Sequence, residues 1–211
     1  MRRTPAPDLC HPRRIRVKGI DIANTARGDL DIQGHLARGF ECRRRLMIEI
    51  DTGGDPDSLI YFFDHMVEGE VPFDLIGLTY YPFWHGPLSA LSNTLSTLAD
   101  RYEKDVLVAE TAYPYTLVDS DDEANVLSSA SQLPDGARFP ATPTGQHDFF
   151  AALREVVLQV PNGRGAGFLV WEPSWRAGVD AGPDHGNAFD NLTLVDADGA
   201  ALPAIGSFGA P

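Results

Sequence analysis

Cysteine is nearly absent: Cys10 and Cys42 are the two in 211 residues. A disulfide framework and a cysteine metal cluster are therefore excluded as the source of stability. No apolar run is long enough to span a bilayer, so no membrane partner is expected. Arg2 and Arg3 are not followed by the apolar core of a secretory signal. Basic residues are scarce after position 45. Residues 1–45 hold 11 of the 17 lysines and arginines but 5 of the 30 acids, which leaves six bases against 25 acids in residues 46–211. A basic head on an acidic body is one pattern for a nucleic-acid arm. The head lacks the interleaved aromatics that nucleic-acid stacking uses, so it is read as a segment outside the fold, with no nucleic-acid partner.

What is present suits one core in one domain. Residues 1–45 contain Pro5, Pro7 and Pro12 and show no sustained period, apart from a short candidate strand at residues 14–20. Order begins at Leu46-Met-Ile-Glu-Ile50, an apolar run read as a strand. A loop, Asp51-Thr-Gly-Gly-Asp-Pro56, follows. Asp57 or Ser58 can then cap a helix carrying Leu59, Phe62, Phe63 and Met66 and ending at Gly69. Residues 73–79 form the next strand. Leu88, Leu91, Leu95 and Leu98 recur at intervals of 3, 4 and 3 and give an amphipathic helix. Residues 106–109 are a continuous apolar strand, as when both faces are covered. A polar loop from 111 to about 144, a helix over 148–160, a strand over 166–170 and a final apolar segment with a helix over 187–208 complete the order. Alternating strands and helices predict an α/β fold with a parallel sheet, whose chemistry sits at the C-terminal ends of the strands.

Glu110 ends one such strand and is the first acid to consider as a catalyst. Tyr80, Tyr81, Phe83, Trp84, His85, Tyr113, Trp171 and Trp175 also follow strands. Aromatic faces stack on the C–H faces of sugars, so the set predicts a carbohydrate cleft, with Trp84 as platform and His85 and Tyr113 orienting hydroxyls or the carboxylate. Phe83 fits core packing as well. Asp119, Asp121, Glu123 and Asn125 place oxygens at alternate positions, which suits either a Ca²⁺ loop or a solvated acidic loop.

The motifs Phe73-Asp-Leu-Ile-Gly-Leu-Thr-Tyr-Tyr-Pro-Phe-Trp-His-Gly86 and Val108-Ala-Glu-Thr-Ala-Tyr-Pro114, with Trp171-Glu-Pro173, resemble the endo-β-1,4-galactanases of glycoside hydrolase family 53. These are (β/α)8-barrel enzymes that cut the galactan side chains of pectin. The resemblance runs from about residue 46 to 208. It implies a partial (β/α)8 barrel, strands 5–8 with their helices, in residues 46–211, and an irregular segment over 1–45 with no counterpart. At 211 residues the chain is short for a whole barrel, which takes about 250. Half a barrel would leave two sheet edges open to self-association.

The resemblance implies retaining hydrolysis of β-1,4-galactan outside the cell, with Glu110 as nucleophile. Retention needs a second carboxyl group about 5 Å away as acid and base. The family supplies it from an Asn-Glu pair after strand 4. No Asn-Glu pair occurs in this chain, so the role is assigned to no residue, and weak or lost activity, or a non-catalytic galactan-binding remnant, is expected. Glu49 stands where the family tends to have His, on the same face as Asp51 but early in its strand. Glu172 follows a strand but is not the family's proton donor. Asp51 and Asp55 match the family's strand-5 loop and either bind substrate or cap the turn. The acidic loop resembles a calcium loop of bacterial members, with Glu123 where they have His, and Asn187 and Asp190 match the segment that completes that site.

Overall fold

In the computed structural model, residues 45–178 and 186–208 are described. The candidate strand at residues 14–20 lies outside them. Four strands follow one another in sequence and in space: β1 (Met47–Asp51), β2 (Leu75–Thr79), β3 (Asp105–Thr111) and β4 (Gly165–Val170). All three pairings are parallel. Parallel neighbours need a crossover. Helix α1 (Pro56–Glu68) supplies the first and α3 (Leu88–Tyr102) the second. The third runs through a long loop and α4 (Pro143–Leu158). A single-turn helix, α2 (Pro82–His85), sits just after β2 and was not legible in the sequence.

The two-residue side-chain period of a strand sorts the sheet into two faces. Ile48, Ile76, Leu78, Val106 and Val108 face the helices and join Leu59 and Phe63 of α1, Leu91, Leu95 and Leu98 of α3, and Phe149, Phe150 and Leu153 of α4 in one core. Met47, Leu75, Leu107 and Ala109 form a second, smaller cluster on the opposite face. Phe63 is fully buried, 5.4 Å ring to ring from Phe73. Truncating it to Ala would cost about 3–5 kcal/mol by transfer and cavity together.

Helices α1 and α4 start where their capping side chains stand, a few residues before the positions that apolar spacing predicts. The cap of α1 is Asp55, whose carboxylate accepts from the N–H groups of Asp57 (3.1 Å) and Ser58 (3.2 Å), with Pro56 in the first turn. Asp57 and Ser58 lie inside the helix instead. Helix α4 begins at Pro143, five residues before the sequence reading, because Thr142 Oγ1 accepts from Gly145 N–H at 3.0 Å. A Cβ at Gly145 would lie 1.9 Å from the carbonyl oxygen of Pro140, so only glycine fits there.

The long loop after β3 is not merely polar. Tyr115, Leu127, Leu133 and Phe139 are buried in it. Buried amides pin it to the C-terminal segment: Gln146 Nε2 donates to the carbonyls of Tyr113 and Thr193, both at 2.8 Å, and Asn191 Nδ2 donates to those of Leu127 (2.8 Å) and Thr116 (3.1 Å). The helix expected over 187–208 is replaced by two 3₁₀ turns, Asp190–Leu192 and Pro203–Phe208. There Thr193 Oγ1 and Asp196 Oδ1 take up backbone groups locally, which competes with helix propagation.

Candidate active site

The site begins with an irregularity in the sheet. β2 and β3 keep one register from Leu75 opposite Asp105 to Leu78 opposite Val108, then shift so that Thr79 stands opposite Glu110. Strict alternation would send Glu110 to the helix side, since Ala109 belongs to the opposite cluster. The bulge re-aims it, a common device beside active sites. Asp51 pairs with Thr79 on the other side, so Asp51, Thr79 and Glu110 share one level at the C-terminal end of the sheet.

Tyr81 holds the carboxylate. Its hydroxyl donates to Glu110 Oε1 at 2.7 Å, and its ring is 2 % exposed. Burial pushes the Glu110 carboxyl above its usual range; the Tyr81 bond opposes this, and the charges of Glu49 and Asp51 add to the rise. Burial and Glu110 also push the Tyr81 phenol far above its ordinary value, so it stays a donor across the working pH range.

α2 builds the second half of the mouth. Pro82 opens the turn and His85 closes it. His85 Nδ1 accepts from the Tyr81 N–H at 2.8 Å. The ring proton is thereby placed on Nε2, 3.1 Å from Asp51 Oδ1. Burial lowers the His85 pKa and Asp51 opposes the fall, so the contact is a neutral imidazole donating to a carboxylate. The glycines of the Asp51–Asp55 loop make this approach geometrically feasible: a Cβ at Gly54 would sit 1.7 Å from the carbonyl oxygen of His85. Trp84 packs edge-on against Tyr81 (5.2 Å) and Phe83 (4.9 Å) yet is 55 % exposed, so it offers a free face beside Glu110's partner.

Other expected sugar contacts fall elsewhere. Tyr80 is fully buried and donates to the Gly86 carbonyl at 2.8 Å. Tyr113 is 1 % exposed, stacks on Phe149 at 4.0 Å and donates to the Phe139 carbonyl. Both rings are buried in the core, and both hydroxyls are taken up by backbone carbonyls. Asp55 caps α1. Trp171 is exposed, and its backbone N–H donates to the Thr111 carbonyl at 2.8 Å, next to Glu110. Trp175 stacks on Phe189 instead, at 6.4 Å and 15°.

The acidic loop forms a separate cluster. Carboxylate oxygens of Asp119, Asp121 and Asp190 come within 4.8 Å of one another. The cluster is drawn together by backbone bonds: Ser120 N–H donates to Asp190, and Asn187 N–H (2.8 Å) and Glu123 N–H (2.8 Å) donate to Asp121. Asp190 is buried, and burial raises its pKa. Asn125 Oδ1 is buried with no hydrogen-bond donor among the described residues. A hard cation would satisfy these oxygens. Glu123 is exposed and outside the cluster. The Asn187 side chain donates to the Trp175 carbonyl and accepts from Phe189 N–H at 3.0 Å, which braces the loop.

Sequence reasoning missed Thr79 and gave Glu49 no role. Thr79 Oγ1 donates to Glu49 Oε1 at 2.9 Å. Thr79 was visible only as the last residue of an apolar strand, and the bulge that brings it level with Glu110 leaves no sequence signal.

Comparison with known proteins gives a consistent picture. Residues 35–208 match the model of the family described as glycosyl hydrolase family 53. An uncharacterised protein of Niallia circulans, described by its place in the bgaB 5′ region, is 41 % identical over 162 residues, covering 76 % of this chain and 44 % of its own length. The arabinogalactan endo-β-1,4-galactanase of Cellvibrio japonicus is 35 % identical over 157 residues, 71 % of this chain and 40 % of that enzyme. The Ignisphaera aggregans GH53 catalytic domain superposes with a TM-score of 0.73 at 31 % identity, covering 82 % of this chain and 48 % of that one. The chain thus spans less than half the length of each of these relatives, and its four-stranded parallel sheet is a partial (β/α)8 barrel.

Proposed function

The chain belongs to glycosyl hydrolase family 53, and from that premise we propose that its strand ends form the nucleophile half of a retaining endo-β-1,4-galactanase. The observation that carries the reading is the Tyr81–Glu110 hydrogen bond at 2.7 Å beside the exposed ring of Trp84. The substrate class comes from relatives whose names specify arabinogalactan or β-1,4-galactan.

Chemically, Tyr81 occupies Oε1 and leaves Oε2 to attack the anomeric carbon. The C1–O bond to the leaving sugar breaks, and the leaving oxygen takes a proton. Water then cleaves the glycosyl ester and restores Glu110. Burial makes the ionised Glu110 less solvated and so a stronger nucleophile, at the cost of a smaller ionised fraction at acidic pH. Trp84 and Trp171 would stack on galactose faces.

The proton on the leaving oxygen is the weak point. No Asn-Glu pair occurs in the chain; on this reading the leaving oxygen takes its proton from solvent, and loss of a general acid costs about 10²–10⁴ in rate. Reducing-sugar release from β-1,4-galactan should therefore be slow and should vanish in Glu110→Gln; release at the rate of the Cellvibrio japonicus enzyme would refute this. The alternative, a non-catalytic galactan-binding remnant, draws on the exposure of Trp84 and Trp171. It predicts galactan binding that survives Glu110→Gln, with no sugar release by the parent chain.

Three subsidiary points belong to the same reading. Asp119, Asp121 and Asp190, with Asn125 Oδ1, would hold Ca²⁺, which would supply charge neutralisation and bind the loop after β3 to the C-terminal segment. A polysaccharide substrate implies work outside the cell. Among the described residues β1 and β4 each pair on one side, and the exposed Leu46 and Leu169 favour self-association, which sedimentation over a concentration series would reveal.

A further inference from the structure

Glu49 lies two residues before Asp51 on β1, on the face that carries Met47 and the mouth. Its partner across β2 is Gly77. A Cβ at that position would come within 2.9 Å of Met47 Sδ and 3.2 Å of Glu49 Cβ, so the glycine is the space that these side chains use. The Glu49 carboxylate reaches Thr79, whose Oγ1 donates to Oε1 at 2.9 Å. Thr79 is itself level with Glu110.

We infer that Glu49 is a positioning residue for Glu110, its carboxylate fixed by Thr79, which stands opposite Glu110 in the sheet. The inference rests on reading Glu110 as the nucleophile. The groups facing Glu110 can be named element by element. Tyr81 donates to it from the end of β2. Glu49 and Asp51 add negative charge from β1. His85, on α2, meets Asp51 rather than Glu110. β4 reads Gly-Ala-Gly-Phe-Leu-Val and carries no titratable side chain, and Glu172 beyond it is exposed. Glu49 makes its hydrogen bond to Thr79 and not to Glu110, so it acts through charge. It delays the ionisation of Glu110 as pH rises, in the direction that burial also pushes. It has no reason to alter sugar binding.

The test is the pH profile of covalent labelling by an activated 2-deoxy-2-fluoro-β-galactoside, followed by intact mass, in the full chain and in Glu49→Gln. A parallel carbon-NMR titration follows the Glu110 carboxyl. Glu49→Gln should move the midpoint of the acid limb to lower pH, raise labelling at acidic pH and leave the half-saturating reagent concentration unchanged. Glu49→Asp, which keeps the charge, should return the midpoint toward the parent value. An unmoved midpoint in Glu49→Gln overturns the inference. Should that variant not fold, Glu49→Ser is read in the same way. If no variant is labelled, the nucleophile reading fails, and the NMR midpoint still decides the role of Glu49.

Discussion

The mouth at the strand ends and the acidic loop after β3 both gather carboxylates, and they treat them oppositely. In the mouth each acid has a side chain assigned to it: Tyr81 for Glu110, Thr79 for Glu49, His85 for Asp51. In the loop, Asp119, Asp121 and Asp190 hold mainly backbone N–H groups of their own neighbourhood, and their oxygens crowd within 4.8 Å with no basic partner in the cluster. Charge in the first region is oriented by side-chain donors. Charge in the second is gathered by loop backbone. Under the proposed function, the same side-chain chemistry would serve catalysis in the mouth and cation binding in the loop, according to what defines its position.

That contrast can be broken most severely at Glu110. Glu110→Gln should reduce sugar release and labelling to background and at the same time raise Tm at neutral pH. The sign follows from the raised carboxyl pKa. A folded pKa above the unfolded one gives stability at low pH that is lost as pH rises through the folded value. The Tm advantage of the variant should therefore grow with pH and disappear below the ordinary carboxylate range, as calorimetry across pH would record.

The next effect is at the loop. Saturating Ca²⁺ at about 100 times Kd should add about 2.7 kcal/mol, a rise in Tm of roughly 5–10 °C for a chain of this size. Asp190→Asn should abolish that rise while leaving labelling of Glu110 intact; a rise that survives the substitution would remove the loop from the account. Tyr81→Phe comes third. Losing a hydrogen bond to a charged acceptor, worth about 1.5–3 kcal/mol, should slow labelling roughly tenfold to a hundredfold with little change in saturation. The smallest effect is at Asp55. Asp55→Ala should lower Tm by the loss of a helix cap, about 1 kcal/mol, and leave galactan binding unchanged; weakened binding would return Asp55 to the mouth.

The strand–helix order and the parallel sheet were legible because apolar runs and leucine spacing are set locally. The place of Glu110 at the end of an apolar strand and that of Trp84 just beyond one were legible because the apolar runs before them mark those strands. The aromatic set was only half legible. Tyr80 and Tyr81 are adjacent and chemically identical, yet one donates beneath the surface to Gly86 and the other to Glu110. The two-residue period of β2 puts Tyr80 on the side of Leu78 and Tyr81 on the side of Thr79, and the extra residue of β3 at Ala109 brings Glu110 to that second side, which no residue pattern announces. Asp55 carried a capping signal, but the site motif around it obscured which of three polar residues would use it. The buried amides Gln146 and Asn191 replaced the expected C-terminal helix through contacts spanning tens of residues, beyond the reach of any local reading.

The central claim is that Glu110 is a poised nucleophile held by Tyr81. The most direct measurement is peptide mapping of the chain after exposure to an activated 2-fluoro-galactoside. The account predicts a single fluorogalactosyl ester on Glu110, absent in Glu110→Gln and slowed in Tyr81→Phe. An unmodified chain at long exposure, or an adduct on another carboxylate, would contradict it.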